Sequence, residues 1–399
     1  MEKAKKTFDY LLKDFSPNFD YRDSWIPSEY GGSKTLERYS IELPKELRIS
    51  HPFIVFLMFK EIKEYPNLGM FEKVLWEIPI FYKDIQFVLA HKKFGFSICA
   101  NEKKENYVEL GLEAMSLIHK AIPFTEALVN SIIHEKVNQG NVTIESKYNK
   151  MRNRYLFFRE KALNGDVCDG TRLTDLKNKS DISNFSNGEE YEAHYKLMSR
   201  YSSAKTYYLL AMIDAYFSLL EHISILLLPF VKEVKIREIK IDNFLGLTWK
   251  AKLRTVLQYK TNKTASKYLE ILDEIKEQIR NPASHGDYFK NGNSFYVHIS
   301  GTGAIPFTLT KPQQNFKFSD TSKSFITIQN IIKHFDDFDQ YLDTSDIRFG
   351  MMYIKKDLPV AFDSKSVTSC RRRIRIEKST KKYIDDTIRE IENSMNMDW

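Results

Sequence analysis

Cysteine is nearly absent from this chain. Cys99, Cys168 and Cys370 are scattered over 399 residues, without a Cys-x-x-Cys pair or a nearby histidine. So odd and dispersed a set argues against a disulfide framework and supplies no zinc site, so a reducing, cytoplasmic setting is expected. Phosphate-cradling glycine loops are missing too. No Walker-type loop occurs, and in G-T-G-A-I-P, Gly301 to Pro306, proline stands where a dinucleotide loop needs its third glycine. No cofactor and no metal are expected. Long apolar runs are scarce: Leu209 to Phe230 comes nearest to a membrane span, but Asp214, Glu221 and His222 lie inside it and Pro229 near its end. A buried helix is expected there, with no membrane. The opening M-E-K-A-K-K-T-F-D-Y lacks the apolar core of a signal peptide. Charge of one sign is in short supply as well, since 60 basic residues face 53 acidic ones and leave a net +7. That is a mild pull toward a polyanionic partner, of which RNA is one.

What is present suffices for a core. With 42% hydrophobic and 14% aromatic residues, the chain reads as two domains plus an extension. Met1 to Gly32 mixes a short basic helix with an irregular aromatic segment. Ser40 to Leu43 alternates like a strand, His51 to Lys63 is helical, and Ile85 to Ala100 fits either a hairpin or a buried helix. Tyr107 to Ile122 and Thr125 to Val137 read as separate helices on either side of Pro123. Lys147 to Leu163 carries Tyr148, Met151, Tyr155 and Phe158 at helical spacing beside Arg152, Arg154 and Arg159. Such arginines with interleaved aromatics suit either a nucleic-acid track or an amphipathic helix with a solvated basic face. Val167 to Glu190 is rich in Asp, Asn, Ser, Gly and Lys, and places a domain boundary. The expected organisation is an N-terminal domain over 1–187, α+β or mostly helical, then a helical domain over 188–345 and a basic extension over 346–399. The fold class is mainly α, with a small β-hairpin inserted between Gly286 and Lys317, where N-G-N, G-T-G and K-P turns flank F-Y-V-H-I and I-P-F-T-L.

Chemistry concentrates in I-K-E-Q-I-R-N-P-A-S-H-G, Ile275 to Gly286. Tyr268, Leu272, Ile275 and Ile279 repeat at helical spacing, so Lys267 to Ile279 reads as an amphipathic helix. Pro282 lacks an N–H and pushes Asn281 out of the α region, which ends or kinks the helix there. In an unbroken helix, five residues rotate the chain by about 140° past a full turn, so Arg280 and His285 would diverge. A break lets them converge. A permanent cation beside an imidazole that titrates near neutrality suits phosphodiester cleavage. The histidine takes or gives the proton at a ribose 2′-hydroxyl while the guanidinium steadies charge on the phosphate.

The segment R-N-P-A-S-H-G, Arg280 to Gly286, resembles the Arg-x(4–6)-His signature of the HEPN superfamily, in which a polar residue follows the arginine and glycine often follows the histidine. Y-F-S-L-L-E-H, Tyr216 to His222, is similar to the long helix that precedes the signature in that family, and a later helix near Phe325 to Leu342 extends the likeness over about 190–345. The resemblance implies a helical bundle that forms a homodimer and joins two motifs into one metal-independent ribonuclease site. Arg280 and His285 would then be catalytic, with Asn281 positioning them and Ser284 supporting. By the same resemblance, members serve as toxins or antiviral effectors, and 1–187 would sense a protein or nucleotide trigger. The family also holds inactive scaffolds and nucleotide-binding dimerisation modules, and that alternative stays open. One departure concerns the tyrosine that a subset of members places two residues after the histidine, because this chain has Asp287 there and Tyr288 next.

Other groups complete the list. Asp214, Ser218 and Glu221 share a face at i, i+4 and i+7 and are expected either to line the cleft around Arg280, with Glu221 on the arginine or the incoming nucleotide, or to face solvent. Arg371, Arg372, Arg373 and Arg375 form the densest basic cluster, either an RNA-phosphate contact or a solvated tail. D-D-F-D, Asp336 to Asp339, fits a solvated acidic face better than a metal site. Glu61/Lys63 and Glu238/Lys240 have the spacing of a metal-dependent nuclease, but no Pro-Asp precedes them.

Overall fold

A computed structural model of the chain describes residues 2–19, 38–164, 188–235, 241–258, 261–280, 295–307 and 327–397. The fold is mostly helical, in line with the expected mainly α class. It divides into two compact units, Met1–Asn138 with Asp385–Trp399, and Gln139–Ile384.

The first unit is built on an antiparallel sheet of five strands in the order β1-β3-β4-β5-β2, where β1 is Phe15–Pro17, β2 Tyr39–Ser40, β3 Val74–Tyr82, β4 Ile85–Lys92 and β5 Gly95–Ala100. The Ile85 to Ala100 stretch thus resolves as a hairpin. Lys83 and Asp84, which join β3 to β4, both sit at positive φ, 47° and 64°, the signature of a two-residue turn whose twist matches the strands. One sheet face, with Trp76, Ile78, Ile80, Phe87, Leu89 and Ile98, packs with Ala114, Met115, Ile118 and Ala121 of the helix Tyr107–Asn138. That helix runs unbroken through Pro123, against the expected split. Ala114, Ile118, Ala121, Thr125 and Val129 keep one buried face on both sides of the proline, and the packing outweighs one lost hydrogen bond. Glu77, fully buried on the opposite sheet face, is held by Arg38 through two bonds of 2.6 and 2.9 Å.

The second unit is a helical assembly. Its helices, with α1 (Glu2–Leu11), α2 (Pro52–Phe56) and α3 (Tyr107–Asn138) preceding them, are α4 (Tyr148–Asn164), α5 (Gly188–Leu227), α6 (Ile241–Leu245), α7 (Trp249–Val256), α8 (Lys263–Ile275), α9 (Ile328–Thr344), α10 (Arg348–Ile354) and α11 (Ser364–Arg373). The last helix, α12 (Glu377–Asn396), spans the second division point. Apolar residues surround most of the C-terminal half of α5, so it becomes the core. Met212, Ile213, Tyr216, Leu219, Leu220, Ile223, Leu226 and Leu227 are all buried. Ser203–Phe230 has the length and composition to cross a membrane, and its burial inside the unit matches the expected core helix. The strands Phe295–Ile299 and Gly303–Phe307 form the expected hairpin ahead of α9.

Two expected boundaries move. The division falls at Asn138/Gln139 rather than near 187, because α4 packs along α5, with the Tyr155 and Tyr216 rings 5.0 Å apart. Nor is 346–399 a separate extension, since α10 and α11 belong to the second unit and the residues after Ile384 to the first.

The contact of α4 with α9 settles two further readings. Arg159 pairs with Asp336 at 2.5 and 2.8 Å, and Arg152 with Asp339, whose other oxygen accepts from the Tyr216 hydroxyl at 2.9 Å. The D-D-F-D run is therefore neither a metal site nor a merely solvated face, and two of the three α4 arginines are unavailable to a nucleic-acid backbone. Burial dominates at Asp339 and pushes its pKa up against the pull of Arg152 and Tyr216.

Candidate functional site

The residues that bring Arg280 to its place are those of α8. Asn262 caps it, with Oδ1 accepting from the Ala265 N–H at 3.0 Å, and Ala265, Leu269, Leu272 and Ile275 bury one face. The last turn, Lys276–Arg280, is π-helical, and the extra residue per turn rotates Arg280 relative to a regular helix. Of the predicted catalytic set, Arg280 is described, while Asn281, Ser284 and His285 lie outside the described residues.

Arg280 meets the polar stripe of α5, one of the two settings expected for that stripe, but through a different carboxylate. Its Nε donates to Asp214 Oδ1 at 2.5 Å, with the two side chains 38% and 53% exposed. Among the described residues its terminal nitrogens have no hydrogen-bond partner, so they can receive an anion. Glu221 lies seven residues along α5, about 10 Å further down the axis, and there meets a different cation. Lys252 Nζ donates to Glu221 Oε1 at 2.5 Å, and Lys252 is 2% exposed. A lysine so buried needs a counter-charge, and Glu221 supplies it. The expected Glu221–Arg280 pairing is thus replaced, within this chain, by Asp214–Arg280. Ser218 donates its hydroxyl to the Asp214 carbonyl at 2.8 Å.

Between the two ion pairs sits Lys276, which sequence reasoning passed over. Its Nζ lies 5.0 Å from the centre of the Trp249 ring and 5.6 Å from that of Phe217, and those rings meet edge to face at 4.8 Å. Burial, and then the Arg280 charge, depress its pKa against the carboxylates of Glu221, Asp273 and Asp214. The signal was present: Lys276 and Arg280 stand four apart at helical spacing. Lys250 pairs with Asp273 beside them. The result is a strip of alternating charge with Arg280 at one end, able to bind a phosphate and to hold its guanidinium in one orientation.

The basic cluster near the C-terminus does not form one face. Arg371 turns inward, donating from Nε to the Pro229 carbonyl at 2.7 Å and from one terminal nitrogen to Val231 and Val234 at 2.6 and 2.8 Å. It closes the chain end that follows α5, so it is not an RNA contact. The Arg373 guanidinium lies over the Tyr383 ring at 4.8 Å. Arg372 and Arg375 are exposed. Comparison with family models, with curated proteins and with solved structures finds no match to this chain.

Proposed function

We propose that the chain is an endoribonuclease of the HEPN type that works without a metal and as a homodimer. The observation that carries this reading is Arg280, half-exposed at the end of its helix and fixed through Nε by Asp214, with terminal nitrogens that have no hydrogen-bond partner among the described residues. His285 takes the proton from a ribose 2′-hydroxyl, whose oxygen attacks the adjacent phosphorus. The 5′-oxygen leaves with a proton from the second motif of the dimer, and Arg280 neutralises the phosphate as charge grows on it. The products are a 2′,3′-cyclic phosphate and a 5′-hydroxyl. Asn281 and Ser284 orient the pair, and Asp214 is a positioning residue that acts through Arg280. In this reading the chain is a toxin or antiviral effector, and its first unit senses a protein or nucleotide trigger.

The ion pair itself favours a second reading, a silent HEPN module for dimerisation, since a structural arginine would be held in the same way. Cleavage of RNA in excess EDTA by wild type, Arg280→Ala and His285→Ala separates the two. Loss in both variants, by about 10²-fold or more, supports catalysis. Cleavage unchanged in the variants removes the site, and silence of the wild type in every RNA tested favours the module.

A further inference from the structure

The second unit also holds a cavity of about 770 Å3 whose lining includes none of the residues around Arg280. It opens where the chain leaves α5, where α7 passes into α8, where α9 passes into α10, and at the end of α11. Its floor is apolar and buried, with Phe230, Val256, Leu257, Ile347 and Ile374. Its walls are cationic. Lys232, Lys263, Arg348, Arg371 and Arg375 face it against two carboxylates, Glu233 and Asp346.

These charges are not equally engaged. Arg371 is tied to the carbonyls of residues 229, 231 and 234, and Glu233 accepts from Gln258 at 2.5 Å. Arg348 covers the Phe349 ring at 4.4 Å. Lys232, Lys263 and Arg375 are exposed and form no ion pair among the described residues. The thirteen-residue helix α8 starts at this cavity, adding the positive end of its dipole. Asn262 Nδ2 donates to the Tyr341 hydroxyl at 2.8 Å, so that oxygen acts as acceptor and its own proton remains to be donated.

We propose that this cavity binds a small phosphorylated molecule with at least two phosphate charges, gripped by Lys232, Lys263 and Arg375 and hydrogen-bonded by Tyr341. Three cations without an ion pair among the described residues exceed what one monophosphate needs. The volume falls in the range of small-ligand pockets, roughly 300–1,000 Å3, and Glu233 and Asp346 at its wall disfavour a continuous polynucleotide backbone. The site is independent of the ribonuclease reading and survives its failure. Bound there, such a molecule ties together the chain segments around α7 to α11 and stabilises the second unit.

The test is calorimetry and thermal unfolding of the full chain with ATP, ADP, a sugar bisphosphate, pyrophosphate, tripolyphosphate and a single-stranded RNA oligonucleotide. At least one of the small phosphates binds and raises Tm. Lys263→Glu/Arg375→Glu, at two exposed positions, weakens it by about 100-fold or more, and the Gln/Gln variant by less. Arg280→Ala binds like wild type. Preference for ATP or ADP over tripolyphosphate assigns a base-bearing ligand, and equal binding assigns a bare phosphate chain. No binding at millimolar concentration overturns the proposal. So does binding that survives the charge reversal, or binding of RNA alone.

Discussion

Replacing Arg152 by methionine isolates the buried network between α4, α5 and α9. The stem is kept, while Asp339 loses its cation and retains the Tyr216 hydroxyl at 2.9 Å. Removing one partner of a fully buried pair costs roughly 3–5 kcal/mol. Here the Arg152 and Asp339 side chains are 23% and 22% exposed, and a donor remains, so a loss of about 2–3 kcal/mol is expected. For a unit of this size that lowers Tm by roughly 4–12 °C. The dependence on pH sharpens the test. The folded pKa of Asp339 is raised, so the folded state holds that proton more tightly than the unfolded chain. Its contribution is therefore fully present below the unfolded pKa, near 3.8, and is lost as pH rises through the folded value. Arg152→Met raises the folded value further, so its penalty is larger at pH 7 than at pH 4. Asp339→Asn on the Arg152→Met background restores part of the loss, because no uncompensated charge is then buried, with a coupling of about 1–3 kcal/mol. The assay is denaturant unfolding of the four proteins at both pH values, following the transition of the second unit. Additive single effects, or a penalty equal at pH 4 and pH 7, would refute the reasoning.

Three further outcomes follow from single contacts. Arg371→Ala unties the carbonyls of residues 229, 231 and 234 and lowers stability by about 2–4 kcal/mol, whereas Arg372→Ala stays within roughly 0.5 kcal/mol; urea midpoints distinguish the two. Gly350→Ala places a Cβ 2.9 Å from Leu227 Cδ2 and 3.0 Å from the stiff Cβ of Phe230, so it destabilises by about 1–3 kcal/mol although alanine is the better helix former, and a raised Tm would contradict this. His222 accepts from the Lys147 N–H at 2.9 Å and has a pKa lowered first by burial and then by the Lys147 charge. Because that pKa is depressed, the stability it gives is present above the unfolded value near 6.5 and is lost as pH falls below it, by up to about 1.4 kcal/mol per pH unit; His222→Gln flattens this slope between pH 7 and pH 5.

How far the sequence could be read depended on whether a residue's neighbours lie near it in the chain. The buried stripe of α8 repeats every three or four residues, and its spacing alone reveals a helix. Strand β3 went unread because seven of its nine residues are buried and both faces are covered, which erases the alternation that marks a strand. The polar composition of Val167 to Glu190 marks a domain boundary by sequence alone, yet such composition does not say whether the helices before and after it share one unit, and only the α4–α5 packing decides that. Arg371 was legible. Val367 and Cys370 form the buried face of α11, Ile374 is buried just past its end, and Arg371 stands four residues from Val367 on that same side, so a run that looks like a surface patch holds one inward member.

The site shows the same limit more sharply. That Asp214 and Glu221 share a face of α5 follows from their spacing, and where that face lines the cleft Glu221 is the one expected to meet Arg280. Which one does is decided elsewhere, by a lysine on α7. Lys252 is buried, cannot stay unpaired, and claims Glu221, leaving Asp214 for the arginine. No local pattern around Glu221 contains that information, because the residue that chooses for it lies thirty-one positions away. A pair of like charges on one helix face therefore defines a set of possible partners, and the buried cation across the core selects among them.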